Sequence, residues 1–300
     1  MDTILRRTFR FIVFALLVFL SAGATTEIPA RVAHEDVETF ASCEVTNATF
    51  ITWFPKEFEC PVCKTKNTFM VVGSYGSYIY ADPSKYQLIF WPYTDTPSWY
   101  SCKKCRLSIF MEDFEQIPPD KIADLRKMLE TTSLPAQTER PPKSGRLMSD
   151  PPYLEIPTAL RVSVAEKVYQ VLGKTGDEFW NHFYRVLAYH YDRQGKTAEA
   201  EQARRKSIAI TEKLLTPKSP GTRKELLYIL GAMRHFVGED TAALKALEEA
   251  GTLTYKNDEL PAERNTNYDE YLSKAIKEYV EMLKKGEGPR GNKSLRSTSH

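Results

Sequence analysis

The pattern of apolar and polar residues changes character near the middle of this 300-residue chain. Before that point, short runs rich in aromatic and β-branched residues, such as those at 67–72 and 107–110, are typical of β-strands. After residue 158, apolar residues recur every three to four positions, which is the period of an amphipathic helix. The pattern predicts an α+β protein, with a small β domain at 52–115 followed by an all-α domain at 158–285.

The helical half divides into hairpins. Helices are predicted at 177–193 and 198–215 around Gly195, at 224–237 and 241–250 around Gly238, and at 268–284. Counted from the two turn glycines, small residues recur at matching positions, namely Ala188 and Gly231, Ala200 and Ala243, and Ser207 and Ala250. Small residues there let paired helices approach closely, which is typical of tetratricopeptide repeats. A tetratricopeptide-like helical domain is therefore predicted.

The stretches around the two domains have the composition of linkers and tails. Residues 116–157 are rich in Pro, Ser, Thr and charged residues and form a predicted linker, with one short helix at 121–130. An irregular leader is predicted at 25–51. The Gly/Ser/Lys/Arg-rich residues 286–300 predict a disordered tail.

The first 24 residues resemble a bacterial export signal. Three arginines precede an apolar run at 11–20, and Ala22-Gly23-Ala24 supplies the small-x-small pattern that signal peptidase cleaves. We therefore expect cleavage after Ala24 and a periplasmic or secreted protein. Adjacent Arg6 and Arg7 also satisfy the core of a twin-arginine signal, so general secretion and twin-arginine export both remain open.

The charge balance limits the partners. Removing a signal that carries three arginines and one aspartate leaves equal numbers of basic and acidic side chains. A neutral mature chain argues against broad electrostatic binding to nucleic acid or anionic lipid. We expect contact with a membrane only through the signal segment, during export.

Four of the five cysteines lie in two C-x-x-C pairs, at Cys60 and Cys63 and at Cys102 and Cys105. Each pair is followed by a predicted strand, and two such turns in a β-ribbon present four thiolates tetrahedrally to one Zn²⁺. The pairs therefore predict a Zn²⁺ site, the cysteine quartet, formed by Cys60, Cys63, Cys102 and Cys105. Disulfides and a thiol–disulfide redox pair remain alternatives.

Three sequence features accompany the quartet. Lys64 and Arg106 stand directly after the pairs, where such turns commonly carry glycine, and their positive charges offset part of the negative charge of a Zn(Cys)₄ centre. Cys43 is unpaired in sequence and is interpreted as a buried or idle thiol. Residues 75–100 form an aromatic insertion dense in Tyr and Trp, which is interpreted as cover for a domain with little core.

Catalytic motifs are incomplete. Two phosphate-loop-like tails, at 173–175 and 195–197, have Val168 and His190 where the first glycine is required. His182 and His190 lie eight residues apart on one predicted helix, without an obvious carboxylate partner, and are interpreted as core or groove histidines. These observations favour a non-enzymatic protein.

Together, Cys60-Pro61-Val62-Cys63, the aromatic insertion, Ser101-Cys102-Lys103-Lys104-Cys105 and the helix pairs resemble an uncharacterised bacterial family, the domain of unknown function numbered 2225. The resemblance covers about residues 52–250. It implies a zinc-ribbon head fused to tetratricopeptide-like hairpins, and it brings no established activity.

The sequence thus predicts an exported, non-enzymatic, zinc-binding scaffold. Its helical hairpins would present a groove to a protein or peptide partner, and self-association would complete a short groove. An envelope thiol–disulfide redox protein that uses the C-x-x-C pairs is the alternative. Glycan binding through the aromatic insertion is a third hypothesis.

Overall fold

A computed structural model describes residues 51–75, 84–132, 156–216 and 220–288. In these ranges a small β region precedes a helical region, which confirms the predicted α+β class and its order. The predicted signal peptide, almost all of the leader, the middle of the linker and most of the tail lie outside the described residues, as does Cys43.

The β region consists of two antiparallel hairpins. Strand β1 (Ile51–Glu59) pairs with β2 (Lys66–Tyr75), and β3 (Trp99–Ser101) pairs with β4 (Ser108–Phe110). In the first hairpin Glu59 faces Lys66, and the register shifts between Thr52 and Trp53. Each C-x-x-C pair lies in the turn of one hairpin, so the strands expected after the two pairs are confirmed.

Six of the seven helices of the described residues correspond to predicted ones, and α2 was not among the helices predicted. Their bounds are α1 Ile122–Glu130, α2 Thr158–Val171, α3 Asp177–Arg193, α4 Thr197–Leu215, α5 Pro220–Phe236, α6 Asp240–Gly251 and α7 Ala262–Lys284. Helix α3 has its predicted ends, whereas α7 begins six residues before its predicted start at Tyr268. Pro261 precedes this extra turn, and the Asn265 side chain accepts a hydrogen bond from the backbone N–H of Asn257 at 2.7 Å.

Glycines permit the helix turns and one close helix contact. Gly195 and Gly238 end α3 and α5 with φ of +70° and +90°, a region that side chains with a Cβ rarely adopt. Gly231 of α5 faces α6, where an added Cβ would lie 2.6 Å from Cγ of Leu247. The small residue predicted at this position therefore lies at a helix–helix contact.

One hydrophobic core extends from the β hairpins into the helices. It contains aromatic residues of the β region together with apolar residues of α1 to α4, including Phe58, Phe69, Tyr100, Phe114, Leu125, Val162, Ala165, Phe183 and Ala200. Phe69 and Tyr100, which come from different hairpins, stack with ring centroids 4.2 Å apart. The domain division drawn from the sequence stays a prediction, and the β region and the first helices share their buried side chains.

The aromatic insertion packs inside the fold. Tyr86 and Leu88 are buried in a second core, which includes Tyr228 of α5 and Tyr279 of α7. On the helix side, Arg185 Nη1 donates to the backbone carbonyls of Gln87 at 2.7 Å and Leu88 at 3.0 Å. The described part of the insertion thus lies against the helices, as cover for the core.

Two further polar groups hold the insertion. Arg204 Nη2 donates to Oε1 of Gln87 at 3.1 Å, and Nε2 of His190 lies 2.8 Å from the carbonyl oxygen of Tyr93. Burial lowers the pKa of Arg185 to about 10, so its guanidinium is charged at neutral pH. A buried charge needs hydrogen-bond acceptors, and the insertion supplies them.

We expect Arg185→Ala to lower the free energy of unfolding by about 2–4 kcal/mol, because two buried carbonyls lose their donor. Urea unfolding followed by circular dichroism measures this loss. The matched control is Arg205→Ala on α4, where Arg205 pairs with Glu201 and Glu239 at the surface. The control should cost less than about 1 kcal/mol. Equal losses in the two variants would contradict the anchoring role of Arg185.

Candidate metal centre

The two cysteine turns have the same backbone geometry. In the first, the N–H of Cys60 donates to the carbonyl of Thr65 and the N–H of Lys64 donates to that of Cys60, both at 2.9 Å. In the second, the N–H of Cys102 donates to the carbonyl of Leu107 at 2.9 Å and the N–H of Arg106 to that of Cys102 at 3.0 Å. The chain therefore forms two equivalent knuckles, one at the end of each hairpin.

The residue after each pair has a left-handed backbone. Lys64 has φ of +60° and Arg106 has φ of +67°, values that cost a residue with a Cβ about 1–2 kcal/mol. These are the two positions where the sequence lacks the usual glycine. The knuckle geometry is kept in spite of this cost, which indicates that other interactions hold the turns.

The knuckles bring the four predicted ligands together. The Sγ atoms of Cys60 and Cys105 are 3.6 Å apart, and those of Cys63 and Cys102 are 3.5 Å apart. All four Sγ atoms lie within 4.8 Å of one another. Cys60 and Cys102 are fully buried, whereas Cys63 and Cys105 are partly exposed.

The size and chemistry of the quartet fit one metal ion. Zn–S bonds of about 2.3 Å in a tetrahedron place neighbouring sulfurs about 3.8 Å apart. The observed distances of 3.5 and 3.6 Å, with an upper limit of 4.8 Å, bracket that value. Four sulfur ligands and no open position are typical of structural rather than catalytic sites.

Hydrogen bonds link the protonation of Cys60, Cys102 and Cys105. Hydrogen bonds from Cys105 and Cys60 lower the pKa of Cys102, and backbone N–H groups of Cys105 and Lys104 act in the same direction. The hydrogen bond with Cys102 raises the pKa of Cys105, to which burial adds. One thiolate is thus stabilised by the protons on its neighbours, and a divalent cation would replace those protons.

Asn67 joins the two knuckles and was missed in the sequence. Its buried side chain donates to the carbonyl of Thr65 at 2.8 Å and lies 3.6 Å from Sγ of Cys102. Its Oδ1 accepts a hydrogen bond from the backbone N–H of Lys103 at 2.9 Å. The available signal was a polar residue near the start of the strand that follows the first knuckle.

Helix α1 supports the first knuckle from outside. Arg126 Nη2 donates to the carbonyl of Val62 at 3.0 Å, and Sγ of Cys63 lies 3.3 Å from Oγ1 of Thr65. Val62 itself is buried in the shared core. The first knuckle is therefore fixed by a helix as well as by its own hairpin.

The histidines lie apart from the quartet. Burial lowers the pKa values of His182 and His190 to about 3, so both rings are neutral at neutral pH. Tyr93 of the insertion contacts His182 edge to face, with ring centroids 4.6 Å apart. His190 is buried and His182 is partly buried, in line with the core or groove positions expected from the sequence. Among the described residues, only the cysteine quartet groups three or more His, Cys, Asp or Glu side chains at metal-binding distances.

Comparisons with protein-family models, curated proteins and solved structures find no match to this chain. The resemblance to the uncharacterised bacterial family therefore stays a prediction. No helix within the described ranges is long and apolar enough to cross a membrane.

We expect Lys64→Gly to raise the free energy of unfolding by about 0.5–1 kcal/mol, because glycine adopts the left-handed backbone without steric cost. The substitution also removes the surface ion pair between Lys64 and Glu59, which contributes little to stability. Lys66→Gly is the matched control: Lys66 begins β2 in extended conformation, and the change should destabilise by a similar amount. Urea unfolding of the metal-loaded variants measures both changes in the free energy of unfolding. If both variants were stabilised, or both destabilised, the assignment of backbone strain to Lys64 would be wrong.

Asn67→Ala should weaken metal binding about 10–100-fold, because the hydrogen bonds that orient the second knuckle are lost. Competition with a chromophoric chelator measures the affinity. Asn181→Ala is the control, since Asn181 is also buried but bonds to residues of α3 and α4, among them Thr211 and Arg185. The control should lower stability and leave the affinity unchanged. A similar loss of affinity in both variants would remove the specific role of Asn67.

Proposed function

We propose that this chain is an exported, non-enzymatic scaffold protein whose β region is held by one Zn²⁺ in the cysteine quartet. The observation that carries the proposal is the convergence of four Sγ atoms, from two equivalent knuckles, within 4.8 Å. Zinc is preferred because four thiolates in a closed tetrahedral site suit Zn²⁺, which is not redox-active.

In this proposal the metal supplies folding free energy. Two-stranded hairpins are at best marginally stable alone, and β3 and β4 have three residues each. A metal that joins both hairpins fixes Phe69 and Tyr100 against each other and against Phe114. Because this core continues into α2 and α3, metal loss should loosen the first helices as well as the β region.

The helical part is proposed to bind a protein or peptide partner. The turn glycines and the close contact at Gly231 are consistent with tetratricopeptide-like hairpins, as is the burial of Ala200 and Ala243. The insertion already covers the helix surface that carries Arg185 and Arg204, so a partner or a second copy of the chain would bind helix surfaces that the insertion leaves exposed.

Envelope location is proposed from the sequence of the first 24 residues, which lie outside the described ranges. The redox alternative fits the structure less well. Redox-active C-x-x-C pairs usually lie at a helix N-terminus, where the helix dipole stabilises a thiolate. Here both pairs lie in hairpin turns, and the Cys60 sulfur is fully buried.

The deciding experiment is metal content, measured by elemental mass spectrometry on the chain purified from its native compartment. We expect one zinc per chain and four thiols that react with an alkylating reagent only after a chelator is added. At free zinc about 1000-fold above Kd, metal binding stabilises the fold by about 4 kcal/mol, so chelation should lower Tm by roughly 8–16 °C.

Cys63→Ser should lose zinc and melt near the chelated protein, whereas Cys43→Ser should keep both the metal and the Tm. The second variant is the matched control, because it removes the one cysteine that lies outside the quartet. A purified chain without metal, in which the four thiols react rapidly with no chelator present, would refute the zinc proposal and favour a redox role.

A further inference from the structure

We propose that the cysteine quartet has a second covalent state, in which a peroxide converts it to the disulfides Cys60–Cys105 and Cys63–Cys102 and releases the metal. This inference rests on the proposed metal-held β region and adds a redox response at the same site. Each of the two disulfides would join one knuckle to the other.

The pairing follows from the arrangement of the sulfurs. Four cysteines allow three pairings. The two Sγ contacts of 3.5 and 3.6 Å share no cysteine, so together they define one of these pairings, in which each disulfide joins the first knuckle to the second. A disulfide bond is about 2.05 Å long, so each pair must approach by roughly 1.5 Å, a shift within reach of a side-chain rotation.

Exposure supplies a route for the reaction. Each proposed pair contains one partly exposed sulfur, that of Cys105 or Cys63, and one buried sulfur, that of Cys60 or Cys102. The exposed thiolate attacks the peroxide O–O bond, forming a sulfenic acid and releasing hydroxide. The buried thiolate then attacks the sulfenic sulfur, and a second hydroxide leaves as the S–S bond forms.

Atoms and electrons balance for the formation of each disulfide. Two thiolates lose two electrons, and one hydrogen peroxide takes up those electrons and two protons to become two water molecules. Two peroxides therefore oxidise the whole quartet, and the metal leaves as a divalent cation because no thiolate remains to bind it.

This pairing keeps the constraint that the metal imposes. Cys60 and Cys105 are 45 residues apart in sequence, and Cys63 and Cys102 are 39 apart, so the disulfides close long loops. Disulfides within each C-x-x-C pair would close only short loops and leave the two hairpins unconnected. The oxidised chain should therefore stay folded without metal in the oxidising compartment that export would bring it to.

The test uses the full chain carrying Cys43→Ser, loaded with zinc, treated with hydrogen peroxide and then alkylated under non-reducing, mildly acidic conditions. Trypsin places Cys60 and Cys63 on the peptide 57–64, Cys102 on 86–103 and Cys105 on 105–106. We expect one species that joins all three peptides, with one zinc released per chain. Fragmentation at the Cys60–Pro61 bond should show Cys60 linked to Cys105.

Thermal unfolding gives a second readout. The peroxide-treated, metal-free chain should melt within a few degrees of the zinc-loaded chain, whereas the reduced, chelated chain should melt well below both. Two variants that each keep only two cysteines of the quartet test the pairing in glutathione buffers. The equilibrium constant for disulfide formation should be about tenfold larger for the variant that keeps Cys60 and Cys105 than for the one that keeps Cys60 and Cys102.

Three results would overturn the proposal. They are a peptide 57–64 with an internal disulfide, a pairing of Cys60 with Cys102, and an oxidised chain that melts with the reduced, chelated one. The zinc content before peroxide is added tests the proposed function separately, since a chain that binds no zinc can still show or lack the proposed pairing.

Discussion

The structure depends on bringing four sulfur atoms to one point. Two hairpins of very different length, β1–β2 and β3–β4, meet through their knuckles, through Asn67 and through the aromatic rings beneath them. Two of these sulfurs are fully buried, and four thiols in contact with one another form only weak hydrogen bonds. A shared metal ion or disulfides would replace these weak contacts with bonds, so the covalent chemistry of the quartet decides whether Phe58, Phe69 and Tyr100 form a fixed core or a loose one.

The second constraint is the pair of buried guanidiniums that receive the aromatic insertion. Arg185 and Arg204 are charged groups on helices, and their acceptors lie about 100 residues earlier in the chain. Burying a guanidinium is favourable only when its donors are satisfied, so helices and insertion must fold together. The insertion thus occupies the helix surface that carries Arg185 and Arg204.

Local patterns predicted most of the secondary structure, while contacts between distant residues had to be observed. Helix α3 and the hairpin turns at Gly195 and Gly238 follow from apolar periodicity and glycine placement, which are properties of neighbouring residues. The knuckles follow from the C-x-x-C spacing. Asn67 and Arg185 act on partners 35 to 98 residues away, and no local pattern encodes that proximity. The left-handed Lys64 and Arg106 show that the knuckle geometry outweighs the backbone preference of the residue.

The cysteine quartet and the helical surface are connected through α2. Arg161 of α2 donates to the carbonyls of Trp99 at 2.7 Å and Thr96 at 3.1 Å, just before the second knuckle, and Tyr169 donates to Asp113 just after β4. These bonds lie on both sides of the hairpin that carries Cys102 and Cys105. A change in the quartet that moves this hairpin must therefore move α2 or break buried hydrogen bonds, and each such bond costs about 1–3 kcal/mol to leave unmade. Because α2 packs on α3, which carries Arg185, a movement of the cysteine hairpin is passed through α2 to the helices that hold the insertion.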